Sequence, residues 1–513
     1  MRARAQTLLG AVGSAARAAR RQMRRIPRAG RACFVIAFVN VAIWSVIVPP
    51  FQVPDEISHF SYAQYFAETG SPPPNNPNDS QWSLQEFAAL DGLNFYDVHG
   101  STLNRGVFTV PADAALRAEL AAANQPLKNS GAATAATNQP PLYYMLESIP
   151  YWLSPSNDIL ARLALMRLLS ALMAAATVLA IFMFLRELVP GTPWAWTVGA
   201  LMVAFQPMFA FIGAGVQADN LLYLGSALTF FALARAWRRG LTTRRALAVG
   251  AGLGLGMMAK LTFLALVPGA VFMLALLAWQ RRGEGRMRAL AVLAAGVGAA
   301  ALPVLLYVLA NVTVLSRPSA LNGALTTATS AAGTGSTAVT WHEILDYTWE
   351  LYLPKLSFLN HAYFTGYGYP LWTVWLRGSV GNFGWLDYTF PQWVYADFQR
   401  LVYGLAALSV IGAWRVRRAL RRGVVAILGF AAMMLGLLVT IGYEGARATA
   451  STQYLFPQAR YLFPLLALYA LAIVLITKSL PRRWAPVLGA LLVALALAHN
   501  LFAETLTISR YYG

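Results

Sequence analysis

About eleven apolar runs, each close to the length needed to cross a bilayer, leave this chain little choice of fold. A spanning helix needs about 20 apolar residues. The runs cover approximately 32–50, 160–187, 193–213, 219–237, 246–260, 262–280, 289–312, 397–414, 423–443, 460–477 and 484–503. Of the 513 residues 58% are hydrophobic and 12% charged. That is about half the charged share of a soluble domain, so lipid is the solvent such a surface can meet.

The charges between the runs set a direction. Lys and Arg number 40 against 21 Asp and Glu. The bases cluster: nine arginines from Arg2 to Arg31, then Arg235/Arg238/Arg239/Arg244/Arg245, Arg281/Arg282/Arg286/Arg288, Arg415/Arg417/Arg418/Arg421/Arg422 and Lys478/Arg482/Arg483. A basic chain can bind nucleic acid. Here each cluster abuts an apolar run, which is how positive charge orients helices in a membrane. No nucleic-acid partner is expected, and anionic lipid headgroups are. With the N-terminal segment, residues 1–31, in the cytoplasm, every basic cluster falls on the cytoplasmic side. The block 246–280 then has basic loops at both ends, so it must cross twice and turn near Lys260-Leu261-Thr262. By the same parity residues 51–158, 313–396, the turn around Gly213–Asp219 and the tail 504–513 lie outside.

The lone cysteine, Cys33, permits no disulfide within the chain, and no zinc-type His/Cys spacing occurs. The run 32–50 is too long for a signal-peptide core and is read as a retained helix. Ser71-Pro72-Pro73-Pro74-Asn75-Asn76-Pro77, Asn124-Gln125-Pro126 and a Thr/Ala/Gly/Ser stretch at about 323–339 mark loops. Trp341, Trp349, Tyr352, Trp372, Trp375 and Trp385 fit rings anchored at headgroup depth. The expected architecture is an all-α polytopic domain over 32–503 with two large external loops.

Five stretches could carry chemistry. In Val53-Pro54-Asp55-Glu56-Ile57-Ser58-His59-Phe60, the apolar spacing after Pro54 predicts a short amphipathic helix on the membrane surface. Asp55 and His59 share one face and Glu56 points about 100° away. A carboxylate at that boundary can act as a general base or simply favour the helix dipole. In Gln139-Pro140-Pro141-Leu142-Tyr143-Tyr144, two prolines precede two tyrosines that could stack on sugars, or the segment only starts a helix. Asp219 either caps a helix or meets a ligand. Lys260, between two apolar helices, either snorkels or binds an anion. Arg460, in Gln458-Ala459-Arg460-Tyr461-Leu462-Phe463-Pro464, suits phosphate because its planar fork binds two oxygens. Arg162 and Arg167 lie inside an apolar run, where pairing with an acid is expected. The topology puts Asp55, Glu56, Gln139, Asp219, Lys260 and Arg460 at one membrane face.

These motifs, with Gly381-Asn382-Phe383-Gly384-Trp385-Leu386-Asp387, resemble a bacterial membrane family labelled domain of unknown function 2142, over about 32–503. In wider outline the chain looks like the GT-C glycosyltransferases, which include protein mannosyltransferases and the lipid A aminoarabinose transferase. The resemblance implies a polyprenyl-phosphate sugar donor and an acid near the acceptor after the first helix, a position matched by Asp55 with Glu56 behind it. It also implies bases at outer helix ends on the donor phosphate, matched by Lys260 and Arg460. His59, Gln139, Tyr143, Tyr144, Asp219, Asn382, Gln458 and Tyr461 are then expected to contact substrate.

The expected activity is sugar transfer to a hydroxyl of a glycan, lipid or protein at the outer face of a bacterial cytoplasmic membrane, with inversion at the anomeric carbon. No cofactor or metal site is expected, and divalent-metal dependence is left open. A flippase for lipid-linked sugars, or a polymerase or ligase using a pyrophosphate-linked donor, is the alternative.

Overall fold

The computed structural model describes residues 26–74, 82–101, 103–123, 134, 136–314, 339–359, 362–364, 368–452 and 458–513. The arginines before residue 26, Asn75-Asn76-Pro77, Asn124-Gln125-Pro126 and positions 323–338 of the Thr/Ala/Gly/Ser stretch lie outside the described residues.

The chain is a helical polytopic membrane protein. Helix α1 (Arg28–Ile47) leads into a group of loop helices, α2 (Glu56–Thr69), α3 (Leu84–Gly92), α4 (Phe95–Val98), α5 (Val110–Ala122) and α6 (Leu142–Leu153). The bundle continues with α7 (Ile159–Leu188), α8 (Pro193–Ala204), α9 (Pro207–Gly213), α10 (Asp219–Arg239), α11 (Thr243–Ala259), α12 (Val267–Gln280) and α13 (Arg286–Thr313). After α14 (Trp341–Tyr352) and α15 (Val374–Gly381), a two-strand hairpin pairs β1 (Asn382–Phe383) with β2 (Tyr388–Thr389). The chain ends with α16 (Gln392–Arg415), α17 (Arg417–Arg422), α18 (Val424–Thr452), α19 (Leu466–Thr477) and α20 (Ala485–Tyr512).

Each of the eleven expected runs coincides with a helix or a broken helix pair. Among the described residues seven are long and apolar enough to span, or eight if the bent pair α8–α9 is one span. Helices α10, α11 and α16 pack in the same bundle without meeting that test, α11 because it has only 17 residues.

Helix α7 is central, packed against α1, α6, α8 and α10. Between apolar helices in lipid, close approach rather than a hydrophobic drive holds the bundle. A Cβ on Gly225 of α10 would sit 2.8 Å from the Cα of Gly256 on α11, so the α10–α11 contact needs hydrogens there. The first and last helices are joined by buried amides. Asn500 Nδ2 donates to Asn40 Oδ1 at 2.8 Å, Asn40 Nδ2 donates to the Ala204 carbonyl at 3.0 Å, and Trp44 Nε1 donates to Asn500 Oδ1 at 3.1 Å.

Three breaks interrupt the apolar runs. Pro207 starts α9 and the pair bends by 63°. Lys260 is extended, and a 3-10 segment, Leu261–Leu266, follows before α12. A second 3-10 segment, Ala459–Leu465, carries Pro464 and precedes α19. Irregular backbone within an apolar run is tolerated where protein covers it. The block 246–280 is therefore two helical segments, α11 and the 3-10 segment with α12, broken at Lys260.

The structure departs from expectation elsewhere. Helix α2 does not lie on a surface: Glu56 through Gln64 are all buried, packed against α6. Residues 504–512 are the last turns of α20 rather than a tail, with Glu504, Thr507 and Tyr511 buried. Of the expected anchoring rings, Trp341 is exposed, but Trp375 stacks on Tyr352 and donates to the Leu351 carbonyl at 2.6 Å.

Candidate functional site

The site begins at the sharp turn after α1. Pro49, Pro50 and Pro54 bar helix continuation, and both Phe51 and Asp55 adopt left-handed backbone, φ 63° each. Arg167, deep in α7, holds this turn. Its Nη1 donates to the Ser45 and Val48 carbonyls at 3.0 and 2.7 Å, and Nη2 to Pro49 at 2.9 Å. Its Nε and Nη2 donate to Glu56 Oε1 and Oε2 at 2.8 and 2.6 Å. All five guanidinium N–H groups are thereby used. Glu56 also accepts from the backbone N–H of Phe51 at 2.9 Å and of Val216 at 3.0 Å. Its carboxylate takes four hydrogen bonds and is fully buried. The acid expected for Arg167 is thus Glu56, and Glu56, expected as a catalytic carboxylate, has neither a free lone pair nor an opening to a substrate.

One residue earlier, Asp55 points the other way. Its carboxylate pairs with Arg460. Arg460 also lies 3.7 Å from Asp219 Oδ2, and Asp219 Oδ1 accepts from Lys260 Nζ at 2.8 Å. Two acids and two bases, from the α1–α2 turn, the α10 N-terminus, the Lys260 break and the 3-10 segment before α19, meet in one chain of contacts. Exposure differs sharply along it: the Asp55 side chain is 37% exposed, Lys260 14%, Arg460 5% and Asp219 3%. The cluster is not saturated. Arg460 Nε and Nη1 and Asp219 Oδ2 are buried and lack a hydrogen-bond partner.

The surrounding groups are ordered by the same fold. Gln139 Oε1 accepts from the Leu261 N–H at 3.2 Å, tying the α6 entrance to the Lys260 break. Tyr223, one turn after Asp219, donates to the Arg460 carbonyl at 3.1 Å. The Arg460 guanidinium lies 5.6 Å from the ring centre of Tyr461. His59 Nδ1 is 2.8 Å from the Tyr144 hydroxyl. Burial first, and then nearby Lys260, push His59 down to about 3, so it is neutral near pH 7. Burial on its own would raise Asp55, but Arg460, aided by His59 and Lys260, overrides it and holds the carboxyl below the usual range.

Other expected contacts fall outside. Tyr143 and Tyr144 do not present faces for sugar: both are fully buried, Tyr144 stacked on Tyr62 with ring centres 3.6 Å apart and Tyr143 bonded to Ser170 at 2.9 Å. A helix that packs inward on α2 and α7 consumes those rings. No hydrogen bond or ion pair links Asn382 or the Gln458 side chain to the cluster among the described residues. Asn382 begins the hairpin whose turn places Trp385 Nε1 on the Phe51 carbonyl at 3.2 Å. Tyr62 and Tyr223 belong to no sequence motif that marks a site; the i, i+4 spacing of Tyr223 from Asp219 is the signal that points to it.

An apolar cavity of about 510 Å3 lies beside the 3-10 segment, lined by Met202, Gln206, Leu376, Phe398, Phe463 and His499 among others. Phe463 is three residues after Arg460. Among the described residues no group of three or more His, Cys, Asp or Glu could hold a metal ion.

The match of a family model to residues 38–469 decides the family. The chain belongs to the predicted membrane protein family DUF2142. No curated protein matches this DUF2142 chain in sequence. Two crystal structures of the Archaeoglobus fulgidus oligosaccharyltransferase align with 94% of it at a TM-score of 0.45: one tethered with an acceptor peptide containing the NVT sequon, 12% identical, and one in the apo form, 13% identical. The DUF2142 chain spans about half the length of that enzyme, 55% and 56%.

Proposed function

We propose that this protein is an integral-membrane glycosyltransferase that moves a sugar from a polyprenyl-phosphate donor to an acceptor hydroxyl at the outer face of the bacterial cytoplasmic membrane. The observation that carries it is the convergence of Asp55, Asp219, Lys260 and Arg460 from four distant segments. Bases at helix breaks are suited to a phosphate leaving group, whose charge grows as the glycosidic bond to it breaks. Arg460 is the main phosphate ligand, its Nε and Nη1 lacking hydrogen-bond acceptors, and Lys260 supports it. Asp55, the most exposed carboxylate of the cluster, takes the proton from the acceptor hydroxyl as that oxygen attacks the anomeric carbon.

A double displacement would need a second free carboxylate as nucleophile. Glu56 is saturated by Arg167 and Asp219 is held by Lys260, which supports direct displacement with inversion. The neighbouring apolar cavity suits part of a prenyl tail. The basic clusters support the orientation. Helix α10 runs from Asp219 at the site to Arg239, about 30 Å away at 1.5 Å per residue, and α11 returns from Arg244 to Lys260.

The test is Asp55→Asn in purified protein supplied with prenyl-phosphate sugar and candidate acceptors. Transfer is expected to fall by about 10²–10⁴-fold, with the protein still folded. Transfer at the wild-type rate would remove Asp55 as the base. Movement of intact donor across vesicles without a new glycosidic bond would replace the transferase with a flippase.

A further inference from the structure

The resting cluster is electrically closed, and this bears on how a ligand enters. Asp55 and Asp219 carry two negative charges, and Arg460 and Lys260 two positive. His59, the remaining titratable group that α2 turns toward them, is neutral. A phosphate diester adds one more negative charge. In a largely buried site an uncompensated charge is costly, so one carboxylate has to give way. The two are not equivalent. Asp219 is buried at the start of α10, hydrogen-bonded to Lys260, and within 3.7 Å of Arg460. Asp55 is the exposed one, sits in a left-handed turn without capping its own helix, and can hydrate when released. Meanwhile Arg460 Nε and Nη1 already lack acceptors.

We propose that Arg460 exchanges partners when a prenyl phosphate binds: the phosphate oxygens replace the Asp55 carboxylate on the guanidinium, and Asp219 acts as a positioning residue that keeps Arg460 and Lys260 together through the exchange. The idea rests on the cluster being the donor-phosphate site. It adds an order to the reaction, because Asp55 is a poor base while paired with Arg460 and becomes a competent one only once the donor is seated. No covalent bond changes in the exchange; one ion pair opens and another forms. The groups that face Asp55 and set its basicity are Arg460 from the 3-10 segment, His59 from α2 and Lys260 from its break; Tyr461 lies beside the same pair.

The experiment uses full-length protein in nanodiscs. Carbodiimide labelling of Asp55 is read by peptide mass spectrometry with farnesyl phosphate, farnesol or inorganic phosphate at equal concentration, and farnesyl-phosphate affinity is measured on variants. Labelling of Asp55 is expected to rise severalfold with farnesyl phosphate and to stay at baseline with farnesol and with inorganic phosphate. Asp55→Asn, which removes the competitor, is expected to bind farnesyl phosphate about tenfold tighter, and Asp219→Asn to bind it more weakly. Unchanged or weaker binding by Asp55→Asn, or no labelling response in the wild type, overturns the exchange. Equal response to inorganic phosphate overturns the requirement for a lipid-linked anion. Because none of these readouts needs a sugar, absence of sugar transfer with the exchange intact would sink the transferase reading alone.

Discussion

Asp55 and Glu56 are neighbours in sequence, both acids and both paired with an arginine, yet they occupy opposite kinds of site. Glu56 accepts four hydrogen bonds and its partner Arg167 spends every N–H, three of them on the carbonyls that end α1. Asp55 is partly open, and its partner Arg460 leaves Nε and Nη1 unmatched. A saturated pair holds backbone in place, and an unsaturated pair at a cleft is available for chemistry. The first pair builds the turn that aims the second.

That contrast can be broken most directly at Glu56. Glu56→Gln leaves the buried Arg167 charge uncompensated and is expected to cost about 3–5 kcal/mol, read as a lowered unfolding temperature or loss of monodisperse protein in detergent. If stability were unaffected, the turn would owe its shape to something else. A third carboxylate sharpens the same point. Glu86 closes a capping box, accepting from the Ser83 N–H at 2.6 Å, but it is buried and forms no ion pair among the described residues. Burial raises it from 4.5 to about 8. The folded state therefore keeps a proton that the unfolded chain releases near 4.5, so stability is greatest below that pH and declines until about 8. The slope is about 1.4 kcal/mol per pH unit for each such group. Glu147, also raised to about 8 by burial, adds a second share. Unfolding measured from pH 5 to pH 8 should show the decline, and Glu86→Gln should reduce it; a flat profile would mean that water or an unseen partner serves these acids.

Smaller effects are expected where one hydrogen bond is lost. Tyr144→Phe removes the hydroxyl at His59 Nδ1 and should cost about 1 kcal/mol, with a larger change in turnover than in stability if His59 orients the cluster. Asp55→Asn should destabilise less than Glu56→Gln, because Asp55 is partly exposed and Asp219, 3.7 Å from Arg460, still faces the buried guanidinium. Equal destabilisation by Asp55→Asn and Glu56→Gln would erase the distinction between the two sites.

Much of the fold could be read in advance. Each apolar run became a helix or broken pair, α2 began right after Asp55, and the parity of the basic clusters located the turn at Lys260. The convergence of Asp55, Asp219, Lys260 and Arg460 followed from placing helix ends on one side. The partners of individual side chains did not follow. Tyr143 and Tyr144 looked like ligand platforms because nothing local distinguishes a ring facing a cleft from one facing α7. The apolar spacing of α2 suggested a surface helix because hydropathy marks one face as buried without revealing that α6 and its neighbours bury the others too.

Hydropathy and the distribution of arginines are properties of position along the chain, and for a membrane protein hydropathy suffices to predict where helices run. Which carboxylate meets Arg167 and which meets Arg460 depends on the register between α7, the turn after α1 and the segment before α19. That register was decided by packing and by the demand that every buried N–H and carbonyl at the turn find a partner. Only the assembled structure could turn two adjacent acids into a scaffold and a candidate base.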